Sequence, residues 1–170
     1  MARQARVAFA RIDALNLASA RRRLGPRDRR RYAGFRSEKR RREFLAGRAL
    51  LQKLGLRFDS APAGGIRGAS ISHARGWVAC IVADHGQPGV DIEPMVDRDF
   101  DKLGEWAFGG GGTREEFYER WTRYEARIKA FGDGKPRASH RERTWLFEGV
   151  ALSVCVPRRS TRTMLIRVRN

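Results

Sequence analysis

The sequence predicts an α/β fold of the α+β kind, organised as two similar halves. Two segments, near residues 37–54 and 113–131, carry apolar residues at helical spacing. Each is followed by three short apolar runs of strand length, separated by turn residues. With 170 residues in all, neither half is large enough for a good core of its own, so the two are expected to pack together. No residue-level repeat is visible, and the duplication is read from element order alone.

Residues 1–35 are basic, with arginine runs at 21–23 and 29–31, and no element is assigned to them. A helix is expected from Ser37, as its cap, to about Leu54. Phe44, Gly47, Leu50, Leu51 and Leu54 share one face, Arg41 and Arg48 lie at its edge, and Gly55 is a natural stop. Residues 59–69, rich in Pro, Gly and Ala, read as a loop. Strands follow at 69–73, 77–83 and 89–93. Residues 94–113 read as irregular. Their Gly109–Gly112 run has no following Lys-Ser/Thr, which makes it a linker rather than a phosphate loop. The second helix covers 113–131, with Phe117, Trp121, Tyr124, Ile128 and Phe131 as its apolar stripe and Gly132 and Gly134 at its end. Strands are expected at 143–147, 150–156 and 164–168.

Composition excludes several classes. Apolar residues make up 41% of the chain, enough for a core, so wholesale disorder is not expected. Cys80 and Cys155 are too few for a disulfide scaffold, and both lie in apolar runs where a buried thiol fits. No apolar stretch reaches the roughly 20 residues needed to cross a bilayer, and the N-terminus has no secretory pattern. A soluble cytoplasmic protein is the expectation. The net charge of +17 is uneven: residues 1–60 hold 18 Lys/Arg against 5 Asp/Glu. The first third therefore makes a positive field that suits an anionic partner, whether nucleic acid, a polyphosphate cofactor or an acidic protein.

Three segments carry candidate chemistry. In Gly89-Val90-Asp91-Ile92-Glu93, strand alternation puts Val90 and Ile92 on one face and Asp91 with Glu93 on the other. Two carboxylates so close suit a hard cation such as Mg²⁺, which takes oxygen ligands and shares substrate phosphates. A solvated polar face on an edge strand fits the same segment. In the second helix, Glu125 and Lys129 lie one turn apart, either as an exposed ion pair or as a carboxylate and an ammonium serving a site. In Ser70-Ile71-Ser72-His73 the two serines share a strand face and His73 ends it, which suits a phosphate or a surface hairpin. No zinc spacing is present.

Read in order, these strings resemble the 4′-phosphopantetheinyl transferase superfamily, in its monomeric type that activates surfactin synthetase and similar systems. The resemblance runs over about residues 26–134. It is carried by Arg42-Glu43-Phe44-Leu45-Ala46-Gly47-Arg48, Ser70-Ile71-Ser72-His73, Trp77-Val78-Ala79-Cys80, Gly89-Val90-Asp91-Ile92-Glu93 and Trp121-Thr122-(x)₂-Glu125-Ala126-(x)₂-Lys129-Ala130-(x)-Gly132. Gly-Val-Asp-Ile-Glu and Trp-Thr-x-x-Glu-Ala-x-x-Lys-Ala are specific as a pair. Tyr124 stands where the family usually has Lys, and residues 61–68 lack the familiar Gly-Lys-Pro turn.

The resemblance implies a pseudodimer of two α/β halves, each a helix packed on a small three-stranded antiparallel sheet. Residues 1–95 would form the nucleotide side and 96–170 the half with the catalytic helix. It implies magnesium-dependent transfer of the phosphopantetheine arm of coenzyme A to a serine of an acyl or peptidyl carrier protein, by a monomer. Asp91, Glu93 and Glu125 match the family's magnesium ligands. Glu125 would also help take the serine proton, and Lys129 would assist the leaving group. His73, with Ser72 nearby, matches the contact to the 3′-phosphate of coenzyme A, and Arg31, Arg42 and Arg48 match basic residues around the nucleotide. Two other classes fit the sequence: a coenzyme A-binding or partner protein of the same fold without turnover, and a basic nucleic-acid-binding protein. The second lacks a zinc finger or an RNA-binding strand signature.

Overall fold

Alternation along Gln4–Arg11 buries both faces of that segment, as a central strand requires. Ala5, Val7 and Phe9 enter one apolar core, and Ala8 and Ala10 enter another. The computed structural model describes residues 4–56, 68–147, 149–160 and 162–169. Within them the strands are β1 (Gln4–Arg11), β2 (Ala69–Ala74), β3 (Trp77–Ala83), β4 (Gly89–Pro94), β5 (His140–Phe147), β6 (Val150–Pro157) and β7 (Arg162–Arg167). The α-helices are α1 (Leu17–Arg22), α2 (Pro26–Ala33), α3 (Glu38–Lys53), α4 (Phe100–Phe108) and α5 (Arg114–Phe131). The architecture is α+β. Among the described residues no helix is long and apolar enough to cross a membrane.

The sheets have the orders β2-β3-β1-β7 and β4-β6-β5. This corrects the expectation of two three-stranded antiparallel sheets, each from its own stretch of chain. The first sheet has four strands, and β7 pairs parallel to β1, from Gln4 opposite Arg162 to Phe9 opposite Arg167. β4 leaves β2 and β3 to pair antiparallel with β6, setting Asp91 opposite Ser153. The inner faces of the sheets share one core, with Val7, Phe9 and Ile81 from the first and Ile92, Leu152 and Val154 from the second. α3 covers the outer face of the first sheet through Ala46, Leu50, Leu51 and Leu54. α5 covers the second through Ala126 and Ala130 against Cys155.

Local signals explain the helix ends. Thr113 and Glu116 form a reciprocal capping box at the start of α5, and Gly132 closes it in the left-handed conformation. Gly55 follows α3 in the same conformation, as expected, and Ser37 occupies the cap position without a side-chain bond. Two stretches differ from expectation. β1, α1 and α2 occupy a region read only as basic. α4 lies within the stretch read as irregular, capped by Asp99 and packed through Phe100 and Phe108 on Phe117. The loop assigned to 59–69 lies outside the described residues as far as residue 67.

The buried ridge of α5 is also rotated from the expected stripe. Phe117, Tyr118, Thr122, Ala126 and Ala130 are buried, while Trp121, Ile128 and Phe131 flank the ridge and Tyr124 is exposed. The cause is close approach. A Cβ on Gly89 would stand 1.8 Å from the carbonyl oxygen of Ala126 and 2.9 Å from the backbone nitrogen of Ala130. Only small side chains fit where the helix and strand backbones touch, at Ala126 and Ala130, so the larger residues beside them, Tyr124, Ile128 and Phe131, are turned aside.

Candidate functional site

β2 is an edge of the first sheet and β4 an edge of the second, and the two edges meet. Side chains stitch them. The backbone N–H of Val90 donates to Ser70 Oγ at 3.3 Å, and Ser72 Oγ donates to Asp91 Oδ1 at 2.8 Å. Alternation makes this seam: Ser70 and Ser72 share one face of β2, and Asp91 and Glu93 share the face of β4 turned toward α5. From α5, Lys129 Nζ donates to Asp91 Oδ1 at 2.6 Å and to Ser72 Oγ at 2.9 Å. Three elements thus converge on one carboxylate.

Asp91 is 3% exposed. A carboxylate so buried is costly unless it is paired. Its Oδ1 takes both donors, while Oδ2 is buried with no hydrogen-bond partner among the described residues. Two half-buried carboxylates sense this charge. Burial first, and Asp91 second, raise Glu93 from an ordinary 4.5 to about 7, against the pull of Lys129, Arg75 and Arg98. Glu125 is raised for the same two reasons in the same order, opposed by Lys129.

Glu93 therefore binds its proton more tightly in the folded chain than in the unfolded one. Its effect on stability is full below about pH 4.5 and is lost as pH rises through about 7. Glu93→Gln should remove this loss. Between pH 5 and pH 8 the variant should keep roughly 1–2 kcal/mol of stability that the parent loses, a range kept small because solvent screens a half-buried group. Urea unfolding at the two pH values measures the difference.

An oxygen-only donor set with an orphaned buried oxygen suits a hard cation, and Mg²⁺ needs only one or two carboxylates beside substrate phosphates. Asp91 and Glu93 fit that role. Among the described residues no three His, Cys, Asp or Glu side chains are grouped closely enough to hold a metal ion. Glu125 senses Asp91 without completing such a group.

The remaining candidates divide. His73, at the end of β2, has Nδ1 3.7 Å from Glu43 Oε2, and Lys39 approaches the same carboxylate at 4.0 Å. Glu43 sits on the buried face of α3. Arg42 is exposed and lines a cleft of about 450 Å³ with Arg11, Lys39, Glu43 and Gly76. Arg31 is exposed, its guanidinium 5.7 Å from the centre of the Phe44 ring. Arg48 has a different place. It is buried, its Nε and Nη2 donate to the two Asp28 carboxylate oxygens at 2.6 and 2.9 Å, and it stacks 4.4 Å from the Phe44 ring centre. It ties α2 to α3. Arg48→Leu leaves Asp28 charged and nearly buried, and should cost about 3 kcal/mol in chemical denaturation. Asp28→Leu combined with Arg48→Leu should recover most of that loss.

Tyr124 packs over the turn after α5, where a Cβ on Gly134 would stand 1.8 Å from its ring. Sequence reasoning gave Ser70 no role of its own and missed Glu43 and Asp28. Ser70 was legible only as the alternation partner of Ser72. The other two had a signal, as lone acidic residues in an apolar helix face and in an arginine run. No family model matches the chain, and no curated protein matches it in sequence.

Proposed function

We propose that this chain transfers the 4′-phosphopantetheine arm of coenzyme A to a serine of an acyl or peptidyl carrier protein, with Mg²⁺. One observation carries the reading. Asp91 and Lys129 come from two separate strings of the family resemblance, and they meet at 2.6 Å beside a buried carboxylate oxygen that has no partner. The two helix-on-sheet units, α3 on the first sheet and α5 on the second, are read as a pseudodimer with the cofactor in the cleft between them. The nucleotide would lie on the side of residues 1–95.

Asp91 and Glu93 would hold the magnesium ion, with Glu125 as the third ligand that the resemblance implies. Bound there, the ion would neutralise charge on the coenzyme A diphosphate. The chain's own groups account for the rest. The carrier serine oxygen attacks the β-phosphate, a new P–O bond forms, the phosphoanhydride bond breaks, and 3′,5′-ADP leaves. Glu125 takes the serine proton, directly or through water, and burial raises its proton affinity above that of a free carboxylate. Lys129 brings positive charge for the departing oxygen. Such transfer depends on positioning and charge neutralisation more than on covalent chemistry. His73, beside Glu43 at the end of β2, and Arg42, in the cleft that Glu43 lines, would serve the nucleotide end. The basic first third would draw in both cofactor and acidic carrier.

The test is labelling of apo carrier proteins with a fluorescent coenzyme A conjugate. At least one acyl or peptidyl carrier should become fluorescent with Mg²⁺ and stay dark with EDTA. If every carrier of the source genome stays dark while an established transferase labels them, the reading is wrong.

A further inference from the structure

We propose that Ser72 is a positioning residue: its hydroxyl fixes the orientation of the Asp91 carboxylate for a divalent cation and does not contact a phosphate of the cofactor. The inference rests on the transferase reading above and changes the role that the resemblance implies for this serine.

A hydroxyl has one proton to donate and two lone pairs to accept with. Ser72 is 6% exposed, its proton goes to Asp91 Oδ1 at 2.8 Å, and one lone pair takes Lys129 Nζ at 2.9 Å. Its donor is committed within the protein. Asp91 Oδ1 accepts from two directions, Ser72 on β2 and Lys129 on α5. Two donors from different elements fix both the position and the plane of the carboxylate, and so fix where Oδ2 points. Oδ2 is the oxygen left buried without a partner. Groups behind a metal-binding carboxylate commonly change metal affinity by about tenfold to a hundredfold when removed. Ser70 supplies a control. It joins the same two strands by accepting the Val90 N–H, and no bond from it to Asp91 is formed. A seam-closing role is open to both serines, whereas of the two only Ser72 bonds the carboxylate, which it orients together with Lys129.

The experiment compares the full chain with Ser72→Ala, Ser72→Thr and Ser70→Ala, each checked for its melting temperature. Calorimetry gives Mn²⁺ affinity with coenzyme A saturating, and coenzyme A affinity in EDTA. Ser72→Ala should weaken Mn²⁺ about tenfold or more and leave coenzyme A affinity in EDTA unchanged. Ser72→Thr, which keeps the hydroxyl, should restore Mn²⁺ binding. Ser70→Ala should lower the melting temperature without changing Mn²⁺ affinity. Unchanged Mn²⁺ affinity in Ser72→Ala overturns the assignment and leaves the transferase reading standing. A loss of coenzyme A affinity in EDTA also overturns it, because that is the mark of a phosphate contact. If the parent chain binds coenzyme A but no Mn²⁺, the metal reading itself fails and takes this role with it.

Discussion

Replacing Gly89 by alanine is expected to unfold or severely weaken the protein, with a loss of about 3 kcal/mol or more. The added Cβ would fall 1.8 Å from the Ala126 carbonyl oxygen and 2.8 Å from its carbon. Both are helix backbone, so no side chain can rotate away, and α5 must lift off β4. Ala126 and Ala130 then lose their contact with Cys155, and Lys129 is carried away from Asp91. Stability and carrier labelling should fall together. Gly110→Ala is the matched control. Its Cβ meets nothing within 4 Å, and the change should stay within about 0.5 kcal/mol. Urea unfolding of the two variants gives both numbers.

Asp91→Asn should abolish transfer, lowering the labelling rate by about a thousandfold, the scale of losing one preorganised charge at a phosphoryl centre. The amide keeps the shape and can still accept from Ser72, so the fold should survive. What disappears is the negative charge that pairs with Lys129 and the acceptor oxygen now left over as Oδ2. Burial would still raise Glu93 and Glu125, but both would lose the second cause, the Asp91 charge, and should titrate lower. A single-turnover labelling assay measures the rate, and carboxyl chemical shifts followed against pH report the two glutamates.

The parts of the fold legible in the sequence are those that local chemistry decides. α5 is delimited by the Thr113–Glu116 capping box and by Gly132, and its bounds match expectation closely. β3 runs over Trp77–Ala83 as its apolar run indicates. β1 was hidden because Arg6 and Arg11 frame a short Val-Ala-Phe-Ala run within a stretch dominated by charge, and its small alanines give little apolar signal. The placement of β4 and β7 was not legible at all. Which strand pairs with which is decided by contacts between distant segments, and the turn after β3 does not fix the next partner. The apolar stripe on α5 misled for a physical reason: periodicity favours large apolar residues, and close packing on Gly89 favours alanine.

The site divides in the same way. Asp91 and Lys129 were legible as charged residues at fixed positions in specific strings, and their meeting follows from α5 lying on β4. Arg48 looked like its neighbour Arg42 in sequence, yet one faces into the α2–α3 contact and the other faces outward. Only the tertiary position of Asp28 separates them. Ser72 carried a hydroxyl that could serve either a phosphate or a carboxylate, and the direction of its hydrogen bond to Asp91 is a property of the seam between the sheets.

The seam between β2 and β4 is proposed as the place where a divalent ion meets the coenzyme A diphosphate. A crystal soaked with coenzyme A and Mn²⁺, measured for anomalous scattering, tests this most directly. An Mn²⁺ peak coordinated by Asp91 Oδ2 and Glu93 is expected, with diphosphate oxygens completing its shell and Lys129 beside them. An Mn²⁺ peak elsewhere, or coenzyme A bound with its diphosphate away from Asp91, would contradict it.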